Sequence, residues 1–136
     1  MHYDRARLDS VELYPFKEMV RAGLGGVMVG HLQVQALDPD GVTPSSLSRN
    51  VVTGLLKDEL GFKGLVFTDA LDMKGVSAIP QVTTKALLAG NDMVLVQFNT
   101  KNAVQELVDA VESGQLSKDE LDAKCRKVLM YKYMLC

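Results

Sequence analysis

Three short apolar runs, Val27-Met28-Val29, Leu65-Val66-Phe67 and Met93-Val94-Leu95, constrain the fold more than any other feature of this chain. They sit in GGVMVGHL (25–32), GLVFTD (64–69) and NDMVLVQ (91–97), each entered from a glycine or a polar turn residue. Runs this short and continuously apolar read as buried strands rather than as half-exposed ones. Between them the period changes from 2 to 3.6. Ser48 precedes SRNVVTGLLKDELG, in which Val51, Val52, Leu55, Leu56 and Leu60 form one helical face and Gly61 ends it. VTTKALLAG predicts a short helix closed by Gly90, and TKNAVQELVDAVESG predicts an amphipathic one with Ala103, Val104, Leu107, Val108 and Val111 inward. A first helix is predicted over 10–22, capped by Asp9 or Ser10, with Pro15 in its early turns and Gly23 at its end. Ser117, with Glu120 three residues on, is a capping box that opens a last helix.

The order is therefore αβαβαβαα, which implies parallel strands covered by helices on both faces. Right-handed crossovers bring all three strand C-termini to one edge. That edge carries His31, Asp69 and Gln97. Ligands gather at this edge in open sheets and in barrels. A carboxylate at the mouth of an apolar strand, Asp69, is thus placed where parallel-strand folds do chemistry. The same Asp could instead cap a helix at a βα turn. Three strands also form a narrow sheet with two raw edges, which pair or aggregate unless covered. The chain is expected to be a piece of something larger and to self-associate through those edges.

Composition removes several classes. The 136 residues carry a net charge of −2 with 47% apolar residues, as a folded α/β domain does and a disordered chain does not. The fifteen Lys and Arg are scattered without a basic run, so nucleic acid is not an expected partner. No apolar stretch approaches the ~20 residues that cross a bilayer, and MHYDRARLDS is polar from its second residue, unlike a signal peptide. Cys125 and Cys136 stand without a CxxC pair or a Cys/His cluster, so no zinc site is expected. AGLGGVMVG is glycine-rich but precedes a strand, the wrong placement for a phosphate cradle.

The stretch GVTPSSLSRNVVTGLLKDELGFKGLVFTDALDMKGV closely resembles the family 3 glycoside hydrolases, in their β-N-acetylglucosaminidase branch. Gly61-Phe62-Lys63-Gly64 through Met73 fits that family's G-[FY]-x-G-x-[VI]-x-[ST]-D-x-[LF]-x-M pattern throughout. LDSVELYPFKEMVRAGLGGVMVGHL resembles the helix and strand upstream, and AGNDMVLV the strand downstream. The resemblance implies a partial TIM-type (β/α) barrel over 1–136, about three parallel strands with their helices. It also implies a terminal β-linked N-acetylglucosaminide as substrate, no metal or organic cofactor, and Asp69 as the catalytic nucleophile of a retaining mechanism. His31, in V-G-H, matches the family's strand-end histidine and is a candidate substrate-binding residue or a structural one. Met73 is a second candidate for the pocket, with core packing as its alternative. Asp72 reads as a helix cap or a solvated acid.

One part of the family pattern is missing. The K-H-[FI]-P-G-H-G signature of the acid/base loop does not occur in these residues, where only MHYDRAR precedes LDSVELYPF. His2 is a poor substitute, and the isolated chain is expected to lack glycosidase activity. A rival reading, a phospho-receiver with Asp69 as acceptor, needs an acidic pair ending the first strand and a Lys ending a later one. Gly30-His31 and Val96-Gln97 stand there instead.

Overall fold

Gly26–Val29 (β1), Leu65–Ala70 (β2) and Met93–Leu95 (β3) lie side by side as one parallel sheet in the order β1-β2-β3. The computed structural model describes residues 3–96 and 99–134, so the predicted roles of His2, Gln97 and Cys136 fall outside the described residues. β1 and β2 run in unbroken register from Gly26 opposite Leu65 to Val29 opposite Thr68. β2 and β3 pair Phe67 with Met93 and Ala70 with Leu95, with a shift of register between the two pairs.

The helices follow the sequence pattern with instructive differences. The first helical segment begins earlier than predicted, as Arg5–Arg7 (α1), because the Asp4 carboxylate accepts from the Arg7 N–H at 2.8 Å and caps it. Asp9 then lies inside the helical segment, where it pairs with Arg5 and Lys17. A wider five-residue turn, Leu8–Glu12, leads to Tyr14–Arg21 (α2), which Pro15 opens. Asn50–Glu59 (α3) starts where predicted, the Ser48 hydroxyl accepting from Val51 N–H at 3.2 Å, but it is wound as a wider π-helix, with Leu60 N–H reaching Leu55 O at 2.9 Å. Gly61, at φ +71°, ends that segment in the left-handed conformation that glycine adopts without strain. Val82–Ala89 (α4), Thr100–Glu112 (α5) and Lys118–Met134 (α6) complete the order.

The prediction of cover on both faces of the sheet fails, and the reason is topological. Strand order follows chain order, so every right-handed crossover places its helix on the same side. Val27, Val29 and Val66 are buried on that side against Val52, Leu56, Phe62 and Ala89. Each fully buried side chain of this kind contributes about 1.5–3 kcal/mol. The opposite face carries Met28, Met93 and Leu95, exposed by 54%, 40% and 45%. Asp69 shares that open face by strand alternation. One helical assignment also changes. On α5 the inward stripe is Leu107, Ala110 and Val111 around Leu87 and Leu116, while Val104 and Val108 fall to its rim and stay exposed.

The start of β2 is fixed by absence of a side chain. A Cβ on Gly64 would lie 2.5 Å from the Gly25 carbonyl oxygen and from the Phe62 ring, so only glycine lets β2 enter the sheet beside Gly25.

Candidate active site

β2 carries Asp69 one residue before its end, half-buried at the C-terminal rim of the sheet. Its Oδ1 accepts from the N–H of Ala70 at 2.7 Å. Among the described residues no other hydrogen bond reaches this carboxylate. The capping alternative for Asp69 finds no helix to serve, because residues 71–81 form turns and α4 begins only at Val82. The backbone under Asp69 is held on both sides. Thr68 Oγ1 accepts from Leu95 N–H at 3.1 Å, and Leu71 N–H donates to Leu95 O at 2.9 Å. A side chain that begins on a strand clamped this way has little freedom to drift.

His31 lies two residues beyond β1, half-buried. Both ring nitrogens are engaged internally: Nε2 with the Ala70 carbonyl at 2.9 Å and Nδ1 with the buried Ser46 hydroxyl at 2.7 Å. A carbonyl can only accept, so Nε2–H donates to Ala70, and Nδ1 shares its bond with the Ser46 hydroxyl. Met73 stands 48% exposed on the turn after β2, its N–H donating to Ala70 O at 3.2 Å. His31, Asp69 and Met73 thus converge on one residue, Ala70. Ser46 and Asn91 escaped the sequence reading, although both are fully buried and joined: Asn91 Nδ2 donates to Ser46 O at 2.8 Å and to Ala86 O at 2.7 Å. Among the described residues, no group of three or more His, Cys, Asp or Glu side chains could hold a metal ion.

Against this geometry stand the comparisons with known proteins. Residues 1–131 match the glycosyl hydrolase family 3 N terminal domain. The chain belongs to glycosyl hydrolase family 3. Its fold class, parallel strands and flanking helices of a TIM-type barrel, is the one seen in structures of that family. A family 3 β-N-acetylglucosaminidase from Paenibacillus sp. str. FPU-7 superposes with a TM-score of 0.89 at 36% identity, over 96% of this chain and 26% of that one. The β-N-acetylglucosaminidase from Thermotoga maritima superposes equally well, TM-score 0.89, at 28% identity over 96% of this chain and 30% of its own. A β-hexosaminidase from Thioalkalivibrio sulfidiphilus is 38% identical over 74% of this chain and 29% of its own length. The chain therefore spans less than a third of each of these relatives. Family 3 membership sets the phospho-receiver alternative aside.

The opposite, N-terminal end of this family 3 sheet is held by charge rather than by a ligand site. Asp92, 8% exposed, accepts from Val66 N–H at 2.9 Å, from Lys127 at 2.7 Å and from Lys57 at 3.2 Å. Lys127 also donates to Gly64 O at 2.7 Å, and Lys57 to Gly90 O. One carboxylate thus joins β2, β3, α3 and α6. Burial pushes its carboxyl up, but the bonds from Lys127 and Val66 and the positive charge of Lys57 outweigh burial and hold it below the usual carboxylate range. Beside it the Lys124 ammonium is pushed down by burial and by Lys57, against Glu120 and Asp92. In barrels of this kind the N-terminal end serves stability and the C-terminal end serves chemistry.

Proposed function

We propose that this chain supplies the nucleophile-bearing part of a retaining glycosidase acting on terminal β-linked N-acetylglucosamine. Asp69 is the nucleophile. Its carboxylate attacks the anomeric carbon, the aglycone oxygen leaves with the bonding electrons, and water hydrolyses the resulting glycosyl-enzyme ester. The observation that carries this reading is a carboxylate at the C-terminal rim of β2, inside GFKGLVFTDALDM, with one oxygen steadied by Ala70 and no helix to cap. The relatives' names, β-hexosaminidase and β-N-acetylglucosaminidase, support the substrate class. No organic cofactor or metal enters the reaction.

The acid/base signature does not occur in these 136 residues. The chain alone is therefore expected to turn over N-acetylglucosaminides poorly or not at all, since missing acid/base assistance costs about 10²–10⁴-fold. The test uses two proteins: the chain itself, and a hybrid in which it replaces the matching segment of the Paenibacillus enzyme. An activated 5-fluoro N-acetylglucosaminide should label the hybrid, and peptide mapping should place the sugar on Asp69. A label on any other residue removes the nucleophile assignment.

The open sheet face also shapes how the isolated chain behaves. Met28, Met93 and Leu95 form its apolar part, at a sheet edge that pairs readily. Sedimentation velocity of the 136-residue chain should show dimers or larger species that grow with concentration. A single monomer boundary at high concentration would remove self-association from the proposal.

A further inference from the structure

We propose that His31 is a positioning residue for Asp69, acting through the backbone of Ala70 rather than by touching sugar. The inference rests on Asp69 being the nucleophile.

The path is short and continuous. Ser46 Oγ meets His31 Nδ1 at 2.7 Å, His31 Nε2–H donates to Ala70 O at 2.9 Å, and Ala70 N–H donates to Asp69 Oδ1 at 2.7 Å. The far end of the path is rigid, because Ser46 is fully buried and its carbonyl accepts from buried Asn91. The peptide joining Ala70 to Leu71 is held three times, its carbonyl by His31 at 2.9 Å and by Met73 N–H at 3.2 Å, and its N–H by Leu95 O. Ala70 N–H is only one Cα away from that fixed peptide, so pinning the one restricts where the other points. β2 ends at Ala70, beyond the last rung that pairs with β1, and no strand hydrogen bond from β1 does this work. His31 replaces that missing rung with a side chain. Both of its ring nitrogens are used in doing so, which leaves none for a substrate hydroxyl.

An Ala70 N–H aimed at Oδ1 leaves Oδ2 as the attacking oxygen and sets its direction. Misplacement of a reacting group by about 1 Å can cost on the order of 10²-fold. In the hybrid, His31→Ala should therefore lower kcat by about 10–100-fold with KM changed far less. His31→Gln, whose side-chain amide places an N–H near the position of Nε2, should recover most of it.

A readout that a merely structural role would not move comes from NMR on the chain itself. The Ala70 amide proton should follow the titration of the Asp69 carboxylate, and that pH-dependent excursion should vanish in Asp69→Asn. In His31→Ala the excursion should fall at least about two-fold, because the donor is no longer aimed, while His31→Gln keeps it. An undiminished excursion in a folded His31→Ala protein overturns the proposal. Should His31→Ala fail to fold, His31→Leu, which keeps bulk but has no N–H to offer Ala70 O, decides in its place: a reduced excursion in a native spectrum supports the role, and an undiminished one overturns it. Full turnover by an Asp69→Asn hybrid would instead defeat the nucleophile reading, whatever the Ala70 signal does.

Discussion

Replacing Asp92 by alanine is expected to lower the unfolding free energy by about 3 kcal/mol, the lower end of what breaking a buried ion pair costs. The lower end applies because Lys57 and Lys127 keep 23% and 27% of their side-chain surface exposed and can turn part-way to water. The Val66 N–H, buried and without its acceptor, has no such escape. Urea unfolding should show this as a midpoint lower by about 1.5 M, for a slope near 2 kcal/mol/M. Against a total of about 5–15 kcal/mol, the loss is large enough to leave the chain marginal. Pairing the change with Lys127→Met should give less than the sum of the two losses, since the substitutions share one contact. The pH dependence has a fixed sign. A carboxyl held below its unfolded value of about 3.9 contributes in full above that pH and loses its contribution as pH falls through the lower folded value. The wild-type protein should thus lose stability in acid more steeply than the Asp92→Ala protein. A midpoint shift under about 0.3 M, or identical acid profiles, would show that the four elements are held by something else.

The sequence made the sheet and its C-terminal rim readable for physical reasons that stop short of the supports. Three β-rich apolar runs separated by helical periods leave one economical arrangement, and the C-terminal rim follows from handedness alone. Gly61, Gly90 and Ser48 announced their helix ends because each acts within a few residues of itself. Asp92 was equally visible, an acid just before β3, yet its partners Lys57 and Lys127 lie 35 residues away on either side. No local pattern encodes such a pairing. Ser46 failed for a related reason: in SSLS it reads as turn or cap chemistry, and its bond to His31 depends on how the loop after β1 folds back. His31 was placed correctly at the rim, but which atoms its nitrogens would meet depends on that same loop and on Ala70. The exposed sheet face was missed because a pattern of buried strands does not state on how many sides helices fall; the strand order does.

Asp69→Gly in the hybrid should reduce turnover of an aryl N-acetylglucosaminide by about 10³-fold or more, since the proposed covalent mechanism has no second path without its nucleophile. Glycine rather than asparagine is the informative choice, because it empties the space that the carboxylate occupied. Azide, small and anionic, can enter that space and attack the anomeric carbon from the face proposed for Asp69. The aryl oxide leaves from the opposite face with its bonding electrons, and an activated one such as dinitrophenolate needs no proton. One displacement instead of two inverts the centre, so the product should be the α-glycosyl azide, formed at a rate well above the unrescued protein. The prediction binds position to chemistry: β2 ends at Ala70, and the strand clamp through Thr68, Leu71 and Leu95 does not involve the Asp69 side chain, so the cavity left by glycine should keep its shape. Unaltered turnover in Asp69→Gly would place the nucleophile elsewhere. A β-azide would mean that azide enters from the leaving-group side, and Asp69 would then lose its claim to the attacking face even if its removal were costly.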